Sequence, residues 1–208
     1  EYSAYPCFLH LTLGGLGVIC IRTREFAEFG VVFKIPDGFV AQFGKERVRN
    51  TPICESAIVA AAYGLSVNGM KAVMEMQFAD FVSSGFNPIV NLLAKSHYRW
   101  GEKAAIVVRM PCGAGVGAGP FHSQTNEAWF TKTPGLKVVY PAFPQDAKGL
   151  LAAAIDDPNP VLFFEHKALY RSVYQEVSEN HFTIEIGKAN QLKKGDQISI
   201  ITYGAGVH

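Results

Sequence analysis

Glu55 is the residue whose type and position most directly suggest chemistry, because it is a carboxylate inside one of the most apolar stretches. Thr51 and Pro52 predict a helix that begins here, since threonine caps free amides and proline suits the first helical position. On that helix Glu55 shares a face with Ile58 and Val59. Burying an ionised carboxylate is costly unless it is paired, hydrogen-bonded or protonated. A functional carboxylate is one interpretation, and a surface-facing glutamate stabilised by the helix dipole is the other.

A glycine-rich run that ends in His122 is the second feature with chemical potential. No Gly-Lys-Ser/Thr sequence closes the run, so it is not a phosphate loop of the Walker type. Dense glycines let the backbone approach a ligand or let a loop move, and histidine suits proton transfer near neutral pH. A flexible surface loop with a solvated histidine is the alternative interpretation. The glycines are Gly113, Gly115, Gly117 and Gly119.

Two weaker candidates lie at the ends of other predicted elements. Gln77 and Phe81 follow a predicted strand and are candidate ligand contacts, although a phenylalanine more often packs in a core. Residues 156–160 form a turn with two aspartates, an asparagine and two prolines. That composition is typical of an ordinary turn, and it also fits a hard cation held mainly by backbone carbonyls.

Composition limits the classes of protein to which these candidates can belong. The chain has 208 residues, of which 49% are hydrophobic and 18% charged, so it contains a globular domain with a large core. The formal net charge is +1 with no basic stripe, which argues against nucleic-acid binding. The four cysteines are scattered without a Cys-x-x-Cys pair, so a zinc site or a disulfide framework is not expected.

The apolar segment at residues 9–21 needs a separate explanation. It is shorter than the roughly 20 residues of a membrane span. It also lacks the basic flank and cleavage site of a secretory signal, so no membrane association is expected. A buried strand or a non-native leader fits this segment better.

The elements that position the candidates alternate regularly from about residue 48 onward. Short strands that are apolar on both faces, separated by helices, predict an α/β fold with a doubly wound, mostly parallel sheet. Ligands in such sheets bind at the carboxyl ends of the strands. The predicted strands are residues 71–76, 104–110, 136–140 and 161–165, and the predicted helices are residues 86–98, 126–132 and 145–155.

The last part of the chain has a different pattern. Residues 187–192 and 198–203 flank the turn residues 193–196, which predicts a hairpin. We therefore divide the chain into an anomalous segment at residues 1–25, an α/β domain at 26–186 and the start of a second, truncated domain at 187–208.

Seven motifs together resemble the β subunit of thiamine-diphosphate-dependent 2-oxo acid dehydrogenases, over the chain from about residue 26. They are TPICE at 51–55, QFADF at 77–81, HSQ at 122–124, EAWF at 127–130, TPGLKVV at 133–139, DAKGL at 146–150 and FEHKALYR at 164–171. The resemblance implies a transketolase-like, pyrimidine-binding α/β domain. Residues 1–25 do not match the family.

The resemblance also implies partners and a compartment. The cofactor is thiamine diphosphate, whose diphosphate and Mg²⁺ are held by an α subunit in an α2β2 assembly. The acyl product passes to the lipoyl group of an acyltransferase core. The expected location is the cytoplasm of a bacterium or, in a eukaryote, the mitochondrial matrix.

The resemblance assigns roles to the candidate residues. Glu55 hydrogen-bonds a ring nitrogen of the aminopyrimidine, and sharing a proton there promotes proton loss from the thiazolium carbon. His122 faces the substrate and the lipoyl group. Ile53 and Gln77 line the cofactor pocket, and Phe81 lies against the pyrimidine ring where relatives often carry tyrosine.

A structural potassium site is implied near the turn at residues 156–160. It would combine the carbonyls of Ile106 and Ala154 with Asp157 and Asn159.

The substrate is the least determined part of the resemblance. The QFADF motif is more similar to branched-chain enzymes than to pyruvate enzymes, which favours a branched-chain 2-oxo acid. A pyruvate- or acetoin-type β subunit, a non-catalytic assembly subunit and a transketolase-type carbon transfer are the alternatives.

Overall fold

One parallel sheet organises the described part of the protein, which in this computed structural model comprises residues 18–22 and 38–208. Its strands are β1 (Val18–Arg22), β2 (Val48–Asn50), β3 (Lys71–Glu75), β4 (Ile106–Cys112), β5 (Lys137–Val139) and β6 (Val161–His166). Neighbouring strands all run parallel, in the order β2-β1-β3-β4-β6-β5.

Helices connect these strands. The α-helices are α1 (Phe39–Phe43), α2 (Glu55–Val67), α3 (Ala94–Trp100), α4 (Pro144–Asp156) and α5 (Leu169–Ser172). A π-helix spans Pro88–Leu93, and 3-10 turns span Ala79–Gly85, Pro120–His122, Glu127–Trp129 and Gly204–Val207. Among the described residues, no helix has the length and apolar character required to cross a membrane.

The hydrophobic core is divided by the sheet into two clusters. Val73 and Val107 point to the face covered by α4, where they pack with Leu151. Met74 points to the opposite face, which α2 covers, and packs there with Val59 of that helix. Since successive residues of a strand alternate between faces, both sets must be apolar, which explains the continuous apolar runs in the sequence. The predicted doubly wound α/β fold is confirmed.

The strand β1 lies inside the sheet, between β2 and β3. Val18 and Cys20 are buried on the α4 side, so the strand alternative is confirmed for residues 18–21. Residues 1–17 and 23–37 lie outside the described part, and with them the rest of the anomalous segment. The proposed domain boundaries stay predictions.

Helix α2 begins three residues later than the sequence predicts. Pro52 and Ile53 are not helical, Cys54 is the N-cap, and Glu55 is the first helical residue. The first helical hydrogen bond of α2 joins Ile58 N to Cys54 O at 3.0 Å. The residues that looked like a helix start instead cross from the end of β2 to the start of α2.

The helix predicted at residues 86–98 divides into a π-helix and α3. Pro88 has no N–H to donate to the carbonyl of Ser84, four residues earlier, so a regular α-helix cannot pass through this position. The freed Ser84 carbonyl accepts a hydrogen bond from the Ser56 hydroxyl on α2. The backbone widens instead, and the Ala94 amide bonds to the Ile89 carbonyl, five residues back.

Two further predictions are wrong. Residues 126–132 form only a 3-10 turn at Glu127–Trp129 instead of the predicted helix. The predicted hairpin is not formed, and Ile198, Ile200 and Ile201 are exposed. A two-stranded hairpin is marginal without a further element to pack on, and none of the described residues covers this one.

Candidate active site

The candidate residues converge on the 3-10 segment Ala79–Gly85, which follows the carboxyl end of β3 on the α2 side of the sheet. The first turn of α2 is tied to this segment by the hydrogen bond from Ser56 to the Ser84 carbonyl. The loop after β4 returns to it through the turn that carries His122. The site therefore forms where open parallel sheets usually bind ligands.

Glu55 lies buried at the first position of α2, with 5% of its surface exposed. A β-carbon added to Gly85 would lie 3.5 Å from the β-carbon of Glu55, so the 3-10 segment covers this side chain closely. Within residues 18–22 and 38–208, its carboxylate makes no hydrogen bond or ion pair. The surface-facing interpretation is therefore wrong. What remains is a buried acid that can share a proton with a bound group.

His122 lies against two aromatic rings rather than in open solvent. Its ring centroid is 4.8 Å from that of Phe78 and 5.6 Å from that of Phe81, in edge-to-face arrangements. Its Nδ1 is 3.2 Å from the Ala118 carbonyl, and donation by Nδ1 would leave Nε2 to exchange a proton. The His122 ring is partly buried against Phe78 and Phe81, so it is not fully solvated, and its role in a site stays a prediction.

Asp80 and Lys167 surround the backbone of this turn, and the sequence did not single them out. Oδ1 of Asp80 accepts hydrogen bonds from the amides of Ser123 and Gln124, both at 3.1 Å. Nζ of Lys167 donates to the His122 carbonyl at 2.5 Å and lies 4.9 Å from the Phe78 ring centre. Burial lowers the pKa of Lys167, and the negative charge of Asp80 opposes that shift.

The structure brings together only some of the predicted cofactor contacts. Phe81 and His122 are in ring contact, and Glu55 packs against the far end of the same 3-10 segment. Gln77 is half-buried between β3 and that segment. Ile53 is 60% exposed in the loop before α2, so no described residue encloses it.

The residues predicted to bind potassium lie near the C-terminal end of α4. Oδ1 of Asp157 accepts a hydrogen bond from the Asn159 amide at 2.9 Å, and its Oδ2 is paired with the ammonium of Lys137. Ala154 belongs to the last turn of α4, where carbonyls lack helical partners, and Ile106 begins β4.

The cation next to Asp157 is thus the ammonium of Lys137, a side chain of the protein itself. Among the described residues there is no cluster of three or more His, Cys, Asp or Glu side chains that could hold a metal ion. A potassium site made mainly of carbonyls is of another kind and stays a prediction.

A buried ionic network occupies the other face of the sheet. Arg109 binds Glu165 through two hydrogen bonds of 2.7 and 2.8 Å and Glu75 through one of 2.8 Å. Tyr170 donates to the same Glu165 at 2.6 Å. Burial lowers the pKa of Arg109, but the two glutamates outweigh it and raise the pKa overall. Single charged residues inside apolar strands were the signal that could have revealed this network.

Cys112 ends β4 on the α2 side and contacts Tyr140. Its Sγ is 3.0 Å from the Tyr140 hydroxyl, and burial raises the pKa of the thiol to about 12. Nearby, Glu127 accepts a hydrogen bond from the Tyr203 hydroxyl at 3.2 Å. A neutral thiol of this kind is a packing group and not a nucleophile at neutral pH.

Comparison with known proteins gives close relatives with named activities. The chain is 49% identical over 192 residues to the 2-oxoisovalerate dehydrogenase subunit beta of Bacillus subtilis, which covers 91% of this chain and 59% of that protein. It is 43% identical over 210 residues to the 2-oxoisovalerate dehydrogenase subunit beta 2, mitochondrial, of Arabidopsis thaliana, with 98% and 58% covered. It is 46% identical over 191 residues to a pyruvate dehydrogenase E1 component subunit beta of Staphylococcus aureus, with 91% and 59% covered.

The chain therefore spans about three fifths of the length of these curated relatives. A solved structure titled split gene transketolase, inactive beta4 tetramer, matches 93% of this chain and 58% of its own chain, with a TM-score of 0.70 and 21% identity. At that identity the likeness concerns the fold alone.

The family itself is identified by a model that covers most of the domain. The model for the transketolase, pyrimidine binding domain, matches residues 24–173, which include all the strands after β1 and every candidate site residue. The resemblance to 2-oxo acid dehydrogenase β subunits is likewise confirmed by the relatives. From its parallel sheet, the site at the strand ends and this match, we conclude that the chain belongs to the transketolase pyrimidine binding domain family.

Proposed function

We propose that this chain forms the pyrimidine-binding side of a thiamine diphosphate site in the β subunit of a decarboxylating 2-oxo acid dehydrogenase. The observation that carries the proposal is Glu55, a 5% exposed carboxylate with no hydrogen bond or ion pair among the described residues. A largely buried carboxylate that no described residue pairs is available to hydrogen-bond a ligand that enters the site. The names of the relatives point to the same class of enzyme.

The residues of the site fit an aminopyrimidine. A buried carboxylate at the first position of α2 can share a proton with a neutral ring nitrogen. Phe81 offers an aromatic ring to the pyrimidine, without the hydroxyl that relatives often carry. When bound, thiamine diphosphate would supply the reactive carbon and the electron sink for the loss of carbon dioxide.

His122 lies at the other end of the same site. Its edge-to-face packing on Phe78 and Phe81 holds the ring while leaving it partly exposed. We assign it to the substrate side, where it can orient the carboxylate of the 2-oxo acid or relay a proton during transfer to a lipoyl group. Gln77 and Ile53 complete the pocket, and Ile53 is exposed as a partner surface would require.

The proposal includes partners that complete the site. An α subunit would hold the diphosphate and Mg²⁺ in an α2β2 assembly, and a lipoyl acyltransferase core would accept the acyl group. Asp157 and Asn159 with the carbonyls of Ile106 and Ala154 would hold K⁺ in a structural role. The Bacillus and mitochondrial relatives suggest a bacterial cytoplasm or a mitochondrial matrix as the location.

A branched-chain 2-oxo acid is the proposed substrate. The QFADF motif at residues 77–81 supports it, because it surrounds the site with Phe78 and Phe81 and is typical of branched-chain enzymes. The 2-oxoisovalerate and pyruvate relatives are similarly close, so pyruvate and acetoin are the competing substrates.

The test replaces Glu55 with glutamine in the β chain assembled with its α partner. We expect deuterium exchange at the thiazolium carbon of bound cofactor to fall about 100-fold or more, because the amide cannot share the proton. Cofactor affinity should change far less. Lys71→Met, which removes a half-exposed ion pair with Asp156, is the control and should leave the exchange rate unchanged. Undiminished exchange in Glu55→Gln would refute the proposed function.

A further inference from the structure

We propose that Asp80 and Lys167 are positioning residues, which hold the backbone on either side of His122 and so fix the imidazole in the site. The inference rests on the proposed function of His122. The geometry is a clamp: one ionic group accepts from the amides that follow the histidine, and the other donates to the carbonyl of the histidine itself.

The clamp is needed because the chain that leads to His122 is conformationally free. Gly113, Gly115, Gly117 and Gly119 all adopt positive φ angles, between 69° and 98°. Such a run has little preference of its own, since each glycine can adopt several backbone conformations at low cost. Besides its contact with the Ala118 carbonyl within the run, the imidazole therefore needs contacts from other elements to fix its position.

Asp80 forms the first half of the clamp. It is 7% exposed at the start of the 3-10 segment, and its Oδ1 accepts hydrogen bonds from two consecutive amides, those of Ser123 and Gln124. Its Oδ2 is buried and accepts no hydrogen bond from any residue in the described ranges. A carboxylate oxygen that accepts from two consecutive backbone amides is a directional anchor.

Lys167 forms the second half from a different strand. It lies just after β6, is 2% exposed, and donates to the His122 carbonyl at 2.5 Å. Its ammonium also lies 4.9 Å from the centre of the Phe78 ring, the same ring that packs edge-to-face on His122. Lys167 thus contacts both the backbone carbonyl of His122 and the Phe78 ring on which the imidazole packs.

The two halves of the clamp connect segments that follow three different strands. Asp80 follows β3, the His122 turn follows β4, and Lys167 follows β6, which neighbours β4 in the sheet. Burying an ammonium and a carboxylate is expensive, and the charge of Asp80 opposes the lowering of the Lys167 pKa by burial. A loop without a fixed task at its tip does not require two buried ions, so we assign the clamp to the orientation of His122.

The test uses the β chain assembled with its α partner and two variants that break one half each. Lys167→Met removes the ammonium but keeps an unbranched side chain over Phe78, and Asp80→Ala removes the acceptor. We expect turnover with the 2-oxo acid and a lipoyl carrier to fall about 10- to 100-fold, the cost of a misplaced catalytic group. Deuterium exchange at the thiazolium carbon, which depends on Glu55, should stay within about twofold in both variants.

Two further measurements separate a positioning role from a merely structural one. Amide hydrogen exchange at Ser123 and Gln124 should become about tenfold faster in Asp80→Ala, and Asp80→Asn, which keeps an acceptor oxygen, should restore part of the protection. The double variant Lys167→Met with His122→Ala should turn over no more slowly than His122→Ala alone, since the lysine acts through the histidine. Lys71→Met should match the wild type in every measurement.

The outcomes distinguish the two proposals. If His122→Ala loses turnover while Lys167→Met and Asp80→Ala keep it, the clamp is refuted and the proposed function stands. If His122→Ala keeps wild-type turnover, the role of His122 in the proposed function fails, and the positioning role fails with it. Equal losses of turnover and thiazolium exchange in Lys167→Met would mean general damage to the site and would also overturn the inference.

Discussion

Two buried glutamates, one on each face of the sheet, have opposite surroundings. Glu165, on the α4 side, is 2% exposed and receives three hydrogen bonds, two from Arg109 and one from Tyr170. Glu55, on the α2 side, is 5% exposed and receives none from the described residues. Both stand in apolar sequence, so burial alone does not distinguish them. The comparison teaches that acids buried to a similar depth can differ in their partners, and the proposed role of Glu55 rests on that difference.

The largest effect should come from breaking the network on the α4 side. Arg109→Met leaves Glu165 and Glu75 buried without a counter-ion, which should lower the free energy of unfolding by about 3–5 kcal/mol. Chemical denaturation of the assembled protein measures it. The matched surface replacement is Arg49→Met, which removes an exposed ion pair with Glu46. It should lower the free energy of unfolding by less than about 1 kcal/mol. Equal effects of the two changes would break the comparison.

The second test makes the same chemical change on both faces. Glu165→Gln weakens hydrogen bonds to a charged acceptor and should lower the free energy of unfolding by about 1.5–3 kcal/mol. Glu55→Gln removes a buried charge that has no described partner, so stability should be unchanged or higher while cofactor activation is lost. Thermal unfolding without cofactor gives both numbers. A similar loss of stability in both variants would mean that Glu55 has a structural partner.

The third and smallest effect is a pH dependence that the two faces share. Burial raises the pKa of Cys112 to about 12 from about 9, and burial likewise raises that of Tyr170. The unfolded chain releases each proton first, so stability is complete below pH 9 and falls as the pH rises towards 12. Each proton contributes a slope of about 1.4 kcal/mol per pH unit. In denaturation experiments, Cys112→Ala should flatten the decline between pH 8 and 10, and Tyr170→Phe should flatten it between pH 10 and 11, because an unfolded tyrosine loses its proton only near pH 10. An unchanged slope in its own range would contradict the burial of that proton.

Local sequence patterns were sufficient for much of the sheet. The apolar runs at residues 71–76, 104–110 and 161–165 correspond to β3, β4 and β6, since only strands covered on both faces need them. The helix predicted at residues 145–155 corresponds to α4, which begins one residue earlier at Pro144, whose fixed φ angle suits a first helical turn. Glu55 and His122 could be found because an acid in an apolar helix and a histidine after dense glycines are unusual locally.

Features that depend on distant contacts could not be predicted in this way. Pro88 itself is visible in the sequence, but the bond from Ser56 on α2 to the Ser84 carbonyl that Pro88 leaves free is not. Asp80 and Lys167 lie 87 positions apart and meet only because β3, β4 and β6 end at the same edge of the sheet. The exposed residues 187–203, predicted as a hairpin, make the same point from the other side. Alternating apolar and polar residues do not form a strand where no neighbouring element packs against them.

The interior position of β1 has a consequence for how the chain folds. Val18 pairs with Lys71, 53 positions further along, and β1 lies between two strands that both follow it in sequence. Large loops must close before these hydrogen bonds form, and such topologies fold slowly compared with sheets of local hairpins. During synthesis β1 leaves the ribosome before the other described strands, so this apolar segment stays unpaired until β2 and β3 follow.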